Sequence, residues 1–166
     1  MTRLLTWHDE WSLNIDVLDV EHRGLIKHLA DICHRFGPEA SPRRSGDAFA
    51  LIDALTDLGE AVREHFKHEE ELMQAVGYED FAEHRTEHAL LMAEYTDQLR
   101  HWRAEGIDVF DEEAQENARD WILEHILGAD RDFAKAFHES EGQLPSIGHR
   151  HDVAAQARLN AARRYP

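Results

Sequence analysis

The stretch HFKHEEELM, residues 65–73, decides the fold. It continues a pattern in which apolar residues recur in alternating steps of three and four, as they do on the core-facing side of a helix. The members of this pattern are Leu51, Leu55, Leu58, Val62, His65, Glu69, Leu72 and Val76. A histidine and a carboxylate therefore occupy two successive core positions. Because a bare ionised carboxylate is costly to bury, a buried partner is expected.

Three further segments combine an apolar stripe with inward imidazole or carboxylate groups. The inward positions are His22 within residues 15–36, His84 and His88 within residues 81–95, and His125 and Asp130 within residues 118–137. Pairs such as His84 and His88, four residues apart, share one face of a helix and can chelate. With His65 and Glu69, these side chains form a predicted set of seven metal ligands near one level of the core.

Glycine and proline interrupt the apolar pattern between the four segments, at Gly37, Pro38, Gly77 and Gly106. Such short connections make sequential helices antiparallel neighbours. We predict an all-α fold, an up-down-up-down antiparallel four-helix bundle, over residues 1–138. Residues 1–14 are not periodic and are expected to form an arm that Trp7 and Trp11 anchor to the bundle. Residues 139–166 are predicted to be a C-terminal extension of unknown role.

The composition restricts the partners and the location of the protein. The chain has 166 residues and a formal net charge of −16, which repels nucleic acid and anionic lipid. The N-terminus lacks the apolar region of a signal peptide, and no stretch is long enough to span a membrane. The only cysteine, Cys33, has no internal disulfide partner. We predict a cytoplasmic protein with no nucleic-acid or membrane partner, and its protein partner is unknown.

The ligand types indicate which metal the seven residues bind. Five imidazoles and two carboxylates exceed what one tetrahedral zinc ion uses, and no thiolate is among them. Imidazole with carboxylate suits iron, and the two carboxylates suit two bridged irons. Two iron(II) ions with Glu69, Asp130 and one hydroxide would sum to a charge of about +1, which makes burial tolerable. The residues therefore predict a two-iron site.

The chain resembles the hemerythrins, in particular the single-domain bacterial type called bacteriohemerythrins. The resemblance covers roughly residues 5–137. It is carried by Trp7, by DVEH ending at His22, by HFKHEEELM from His65, by HRTEH ending at His88, and by WILEHILGAD ending at Asp130. Single motifs of this kind are weakly specific, whereas their ordered occurrence at one level of a bundle is strongly specific.

The resemblance implies a role for each ligand. His84, His88 and His125 would bind one iron, and His22 and His65 would bind the other. Glu69, Asp130 and an oxo or hydroxo group would bridge the two ions. The second iron would then have an open position that takes dioxygen reversibly, and nitric oxide or small anions are further ligands expected there. By the same resemblance, the oxygen pocket is walled by Trp121, Ile122 and Ile126.

The sequence departs from the family pattern at Glu21, at Asn14 and in its length beyond about residue 138. Glu21 stands where glutamine is usual, so a charge is expected near the open iron. Asn14 stands where glycine is frequent, which concerns the turn of the arm.

Next to the predicted ligand Glu69, His68 is expected to point away from the stripe, and Glu70 and Glu71 are expected to lie on a solvated face.

Three function classes are compatible with the predicted site. A dioxygen-binding protein for storage or delivery is favoured, because imidazole-rich ligation without another domain leaves binding as the main output. A sensor of oxygen, nitric oxide or redox state would need a partner. A di-iron oxidase or peroxidase is disfavoured but still open, because ferritin-like enzymes use a carboxylate-rich ligand set. We therefore expect no catalytic residue.

The fourth stripe contains a break in its register. Ala118, Ile122 and His125 set a phase that Asp130 misses by one residue. A regular helix would place Asp130 about 140° from His125, too far round for both to reach one metal cluster. A single π-type turn absorbs one extra residue. We therefore predict a π-bulge between His125 and Asp130, where Gly128 and Ala129 are small enough to permit it.

Overall fold

The computed structural model describes residues 5–40 and 46–142 of the chain, with the side chains of residues 141 and 142 excepted. A short 3₁₀ turn, Asp9–Trp11, precedes the bundle. The helices are α1 (Asp16–Phe36), α2 (Asp47–Val76), α3 (Phe81–Glu105), α4 (Glu112–His125) and α5 (Arg131–Gly142), with a π-helical turn (Ile126–Asp130) joining α4 to α5. The described residues form no strand.

The helix ends follow local chemistry. Gly77 and Gly106 end α2 and α3 in the left-handed conformation, with φ angles of 70° and 66°. Glycine adopts this conformation without the steric penalty of a Cβ atom. Asp111 begins α4 because its side chain accepts a hydrogen bond from the Ala114 amide, at 2.9 Å. The chain therefore reverses direction at glycines and restarts at an acidic cap.

Two hydrogen bonds between distant residues show that α1 runs antiparallel to the last helical rod, formed by α4, the π-turn and α5. The Phe110 amide, just before α4, donates to the Phe36 carbonyl at the end of α1, at 2.9 Å. At the other end of the bundle, the His138 Nε2 lies 2.9 Å from the Leu13 carbonyl oxygen. The predicted antiparallel four-helix bundle is confirmed.

The arm lies against the bundle, as predicted. The Trp7 and Trp11 rings pack edge to face with 5.8 Å between their centroids, and Trp11 is buried. Asn14 turns the chain into α1 with a φ of 55°, which explains why glycine suits this position. Asp19, which the apolar pattern of α1 does not predict to be buried, is a buried carboxylate that accepts hydrogen bonds from the Ser12 hydroxyl and the Leu13 amide. Asp19 therefore fixes the end of the arm.

The predicted π-bulge is confirmed. The chain is π-helical over Ile126–Asp130, between the regular helices α4 and α5. A Cβ atom added at Gly128 would meet nothing within 4 Å, so the turn does not depend on a close approach of backbone there. The extra residue rotates Asp130 onto the inward face that His125 already occupies, and both side chains are buried.

Two apolar clusters enclose the predicted metal ligands from both ends. One cluster contains Leu25, Phe66 and Ile126, and the other contains Leu18, Leu72 and Phe133. On α1, His22 lies between Leu18 and Leu25. On α2, Glu69 lies between Phe66 and Leu72, and on the last helical rod Asp130 lies between Ile126 and Phe133. The polar level of the core is therefore sandwiched between apolar layers. None of the described helices is long and apolar enough to cross a membrane.

Helix α5 continues to Gly142, four residues past the predicted end of the bundle at residue 138. The rest of the predicted C-terminal extension, residues 143–166, lies outside the described residues, as does the interhelical segment 41–45. The division of the chain at residue 138 stays a prediction.

A buried glycine on α2 gives a test of the packing between α2 and α3. A Cβ atom at Gly59 would lie 2.7 Å from a ring carbon of Tyr95, whose hydroxyl donates a hydrogen bond to the Leu55 carbonyl. We expect Gly59→Ala to destabilise the protein by about 1–3 kcal/mol, because the ring must move and its hydrogen bond weakens. The measurement is the shift in the thermal unfolding midpoint.

The matched control is Gly24→Ala on α1, where an added Cβ meets nothing within 4 Å. This change should raise stability by about 0.5–1 kcal/mol, since alanine is the better helix former. Equal shifts for the two variants would contradict the packing described at Gly59.

Candidate metal centre

The four rods of the bundle each contribute to one buried polar cluster. Helix α1 provides His22, α2 provides His65 and Glu69, α3 provides His84 and His88, α4 provides His125, and the π-turn provides Asp130. Each of these residues is at most 5% exposed. The structure thus brings all seven predicted ligands together, while their role as iron ligands stays a prediction.

The ligand atoms divide into two groups within which all atoms lie within 4.8 Å of one another. The larger group contains Glu69, His84, His88, His125 and Asp130, and the smaller contains His22, His65 and Asp130. Asp130 belongs to both groups, as the predicted bridging role requires. Glu69 belongs to the larger group only.

Ring nitrogens face each other in both groups. The His22 and His65 Nε2 atoms are 3.0 Å apart, and the His88 and His125 Nε2 atoms are 2.9 Å apart. The Asp130 Oδ1 lies 2.8 Å from the His125 Nε2 and 3.1 Å from the His84 Nε2, and its Oδ2 lies 3.2 Å from the His22 Nε2. Every one of the five histidines therefore aims its Nε2 inward.

Several polar atoms at the cluster have no hydrogen-bond partner among the described residues. They include both oxygens of Glu69 and the Asp130 Oδ2. The Glu69 Oε2 lies 3.2 Å from the His88 Nε2, close enough for charge attraction but without good hydrogen-bond alignment. Buried polar atoms are rarely left unpaired, so these oxygens point to a cation as the missing partner. The donor set of imidazole nitrogens and carboxylate oxygens fits two iron ions.

The electrostatics of the cluster favour positive charge beside the two carboxylates. Burial acts to raise the pKa of Asp130, but the imidazoles of His125, His22 and His84 outweigh it and keep the pKa well below its usual range. For His84, burial acts to lower the pKa, whereas Asp130 and Glu69 raise it to about 10. Positive charge is thus strongly favoured between the two carboxylates, where a metal ion would provide it.

Three of the histidines are oriented from behind by carboxylates. The His65 Nδ1 lies 2.8 Å from Glu21, the His88 Nδ1 lies 2.9 Å from Glu70, and the His125 Nδ1 lies 3.1 Å from Glu87. When the Nδ1–H group donates a hydrogen bond to a carboxylate, the ring is fixed so that Nε2 can face a metal ion and is a stronger ligand. The expectation that Glu70 lies on a solvated face is wrong, because its side chain is only 23% exposed and holds His88.

Glu21 is the most buried of these three carboxylates, with 8% of its side chain exposed. Its second oxygen lies 2.7 Å from the Nδ1 of His68, whose Nε2 lies 3.0 Å from Glu64. Burial acts to raise the pKa of Glu21, and the hydrogen bonds from His65 and His68 bring it below its usual value. The charge expected from this residue therefore sits directly behind His65, one of the smaller group's ligands.

A small cavity adjoins the smaller ligand group. Its volume is about 20 Å³, more than the roughly 10–15 Å³ that one water molecule requires. The three predicted pocket residues Trp121, Ile122 and Ile126 all line it, together with His22, Leu25, Val62, His65, Phe66, Leu91, His125 and Asp130. The space is therefore apolar on one side and faces potential metal ligands on the other.

A known protein family matches most of the chain. Residues 13–137 match the family model described as the hemerythrin HHE cation binding domain. The chain belongs to the hemerythrin family. The matched region contains all seven predicted ligands, from His22 to Asp130.

Curated hemerythrin relatives match most of the chain. A bacteriohemerythrin of Stenotrophomonas maltophilia is 30% identical over 79% of this chain and 80% of its own length. A bacteriohemerythrin of Methylococcus capsulatus is 31% identical over 77% of this chain and 92% of its own length. A crystal structure of a hemerythrin mutant superimposes with a TM-score of 0.65 at 27% identity, over 78% of this chain and 94% of that one. These relatives agree with the helical bundle seen here.

The division of the ligands predicts unequal effects of two substitutions on metal content. Because Asp130 lies in both groups, Asp130→Asn should reduce the content of both metal ions. His65 lies in the smaller group only, so His65→Gln should leave about one ion per chain. Elemental analysis of iron per folded protein, with circular dichroism as the folding check, measures both. Full metal content in Asp130→Asn would contradict the shared position of Asp130.

Proposed function

We propose that this hemerythrin-family protein binds two iron ions and, through them, binds dioxygen reversibly for storage or delivery. In this assignment His84, His88 and His125 hold one ion, and His22 and His65 hold the other. Glu69 and Asp130, with an oxo or hydroxo group, join the two. The observation that carries the proposal is the unequal division of the ligands, combined with an apolar cavity at the smaller group.

The inequality leaves room for an external ligand. The larger ligand group contains five residues, whereas the smaller group contains three. The cavity lies beside His22 and His65, on the side with fewer ligands. Its size suits a diatomic molecule rather than a larger substrate. Nitric oxide and small anions are therefore competing ligands at the same position.

The chain supplies the surroundings in which such binding is reversible. When bound by these residues, two iron(II) ions would supply the electrons that dioxygen binding requires. Ile122, Ile126 and the ring of Trp121 make one wall of the cavity apolar. This wall disfavours water beside a bound oxygen molecule, which limits the loss of that molecule through proton delivery. Phe66 stacks on His88 with 3.8 Å between ring centroids and holds that ring in place. Five imidazoles from four rods keep the site rigid.

The proposal predicts the spectroscopic behaviour of the iron-loaded protein. After anaerobic reduction, admission of air should produce new visible absorption bands, and removal of oxygen should abolish them over repeated cycles. Elemental analysis of the same sample should give two irons per chain. Absorption spectra recorded through several cycles make the measurement.

The competing functions give different outcomes in that experiment. Immediate and complete conversion to the oxidised form, without a reversible stage, would contradict storage or delivery and favour a sensor or a redox enzyme. Zinc in place of iron in protein from iron-replete cells would contradict the metal assignment itself.

The apolar cavity gives a second prediction. Ile122→Ala should speed autoxidation of the oxygenated protein severalfold, because water gains access, while the iron content stays at two per chain. The decay of the oxygenated bands measures the rate. The matched control is Leu123→Ala, one position along α4, because Leu123 packs against the main apolar cluster and does not line the cavity. Equal rates in the two variants would remove Ile122 from the pocket.

A further inference from the structure

An open groove of about 610 Å³ lies between α2 and α3, over the outer face of the predicted ligand His88. Its charged lining consists of the cations Arg63, Lys67, Arg85 and Arg100 and the carboxylates Glu70 and Asp97. The whole chain has 34 acidic residues against 18 lysines and arginines, so the groove reverses the overall balance. A basic groove on a strongly acidic protein indicates an anionic ligand.

The cations of the groove are available for an external anion. Arg85 and Arg100 have 66% and 75% of their side chains exposed, and their ion pairs with Glu70 and Asp97 span 3.7 and 3.1 Å. Arg63 is 56% exposed and lies 3.8 Å from Glu60. Exposed pairs of this kind contribute little to stability, so their arginines can turn to a better ligand. No carboxylate among the described residues pairs with Lys67. Arginine and lysine together are well suited to a phosphate group.

Apart from the charged residues, the lining of the groove is mostly apolar, with His88 and Thr96 as its polar members. Phe66 and Met92 form buried parts of its wall, and Ala89 and Ala93 of α3 are too small to fill the space. A wall of this kind favours contact with a flat aromatic ring. The volume lies within the range of sites that bind small organic molecules, about 300–1,000 Å³.

The charge distribution favours a small anion over an acidic protein. Electrostatic interactions between exposed charges extend only about 8–10 Å at ordinary salt concentrations. A nucleotide-sized anion in the groove therefore interacts mainly with the local cations. A large acidic partner would also meet the surrounding surface of a chain whose net charge is −16.

We propose that the basic groove between α2 and α3 binds a phosphate ester that carries a flat aromatic group, the chemistry of a nucleotide. The cationic side chains hold the phosphate, and the wall formed by Phe66, Ala89 and Met92 contacts the ring. The proposal does not require the proposed function to be correct.

The groove is also connected to the metal centre. Glu70 accepts a hydrogen bond from the His88 Nδ1 with one oxygen, and its other oxygen lies 3.7 Å from the Arg85 Nε. When an anion binds Arg85, the ion pair between Arg85 and Glu70 is broken, and Glu70 keeps its hydrogen bond from His88. Occupancy of the groove is therefore coupled to the carboxylate that orients a predicted ligand.

The test uses flavin mononucleotide, which has the required chemistry, and riboflavin, which has the same ring system without the phosphate. Equilibrium dialysis of the iron-loaded full-length protein measures the dissociation constant of each. Flavin mononucleotide should bind at least about tenfold more tightly than riboflavin. Its affinity should fall as salt rises from roughly 0.05 to 0.5 M. Inorganic phosphate at equal concentration should displace it poorly.

Two charge-matched double variants locate the binding. Lys67→Gln with Arg85→Gln should weaken the binding of flavin mononucleotide about tenfold or more. Lys27→Gln with Arg103→Gln removes the same charge outside the groove and should change the affinity less than about threefold. Iron content measured on each sample separates a failure of this proposal from a failure of metal binding.

Three results would overturn the proposal: no binding of flavin mononucleotide to the iron-loaded protein, equal affinity for the two flavins, or equal loss of affinity in the two double variants. Binding of an acidic protein at the groove without binding of flavin mononucleotide would also overturn it and assign the surface to a macromolecular partner.

Discussion

The burial of two carboxylates in the middle of an apolar bundle is the constraint on which the rest of the structure depends. Glu69 and Asp130 are completely buried, and desolvation alone would push both towards their neutral forms. Hydrogen bonds and positive charge from surrounding groups reverse that tendency. The five inward imidazoles, and the metal ions they are suited to hold, supply that charge. Apolar layers above and below then raise the strength of every interaction at that level.

The same constraint explains why the last rod of the bundle is not a regular helix. A carboxylate five residues after His125 would face away from the cluster on an α-helix, and its burial there would have no compensation. The π-turn Ile126–Asp130 rotates it inward, and α5 then continues with Phe133 on the core side. An irregular backbone is thus tolerated where it satisfies a buried charge. Its position could be predicted from sequence because the register of the stripe breaks visibly there.

The sequence pattern predicts the seven inward ligands but not the carboxylates that contact three of them from behind, for one physical reason. Periodicity reports which side of a helix faces the core, and the seven ligands lie on that side. Glu21, Glu70 and Glu87 lie beside it, where the same pattern predicts contact with solvent. Their long side chains nevertheless reach back to the Nδ1 atoms of His65, His88 and His125. Such contacts depend on the spatial arrangement of neighbouring helices. The sequence marks Glu21 solely because glutamine is usual at that position in the family.

Helix α2 shows how neighbouring residues of one helix can provide both predicted ligands and side chains that contact the surroundings of other ligands. In HFKHEEELM, His65 and Glu69 point inward, whereas His68 and Glu70, each one position before or after Glu69, fall on opposite flanks of the helix. His68 therefore meets Glu21 of α1, and Glu70 meets His88 of α3. Glu70 thereby orients a predicted ligand of another helix, whereas His68 contacts the carboxylate that orients His65 of α2 itself. The dense run of charged residues at 67–71 is thus compatible with a buried site, since only one of its five side chains must enter the core.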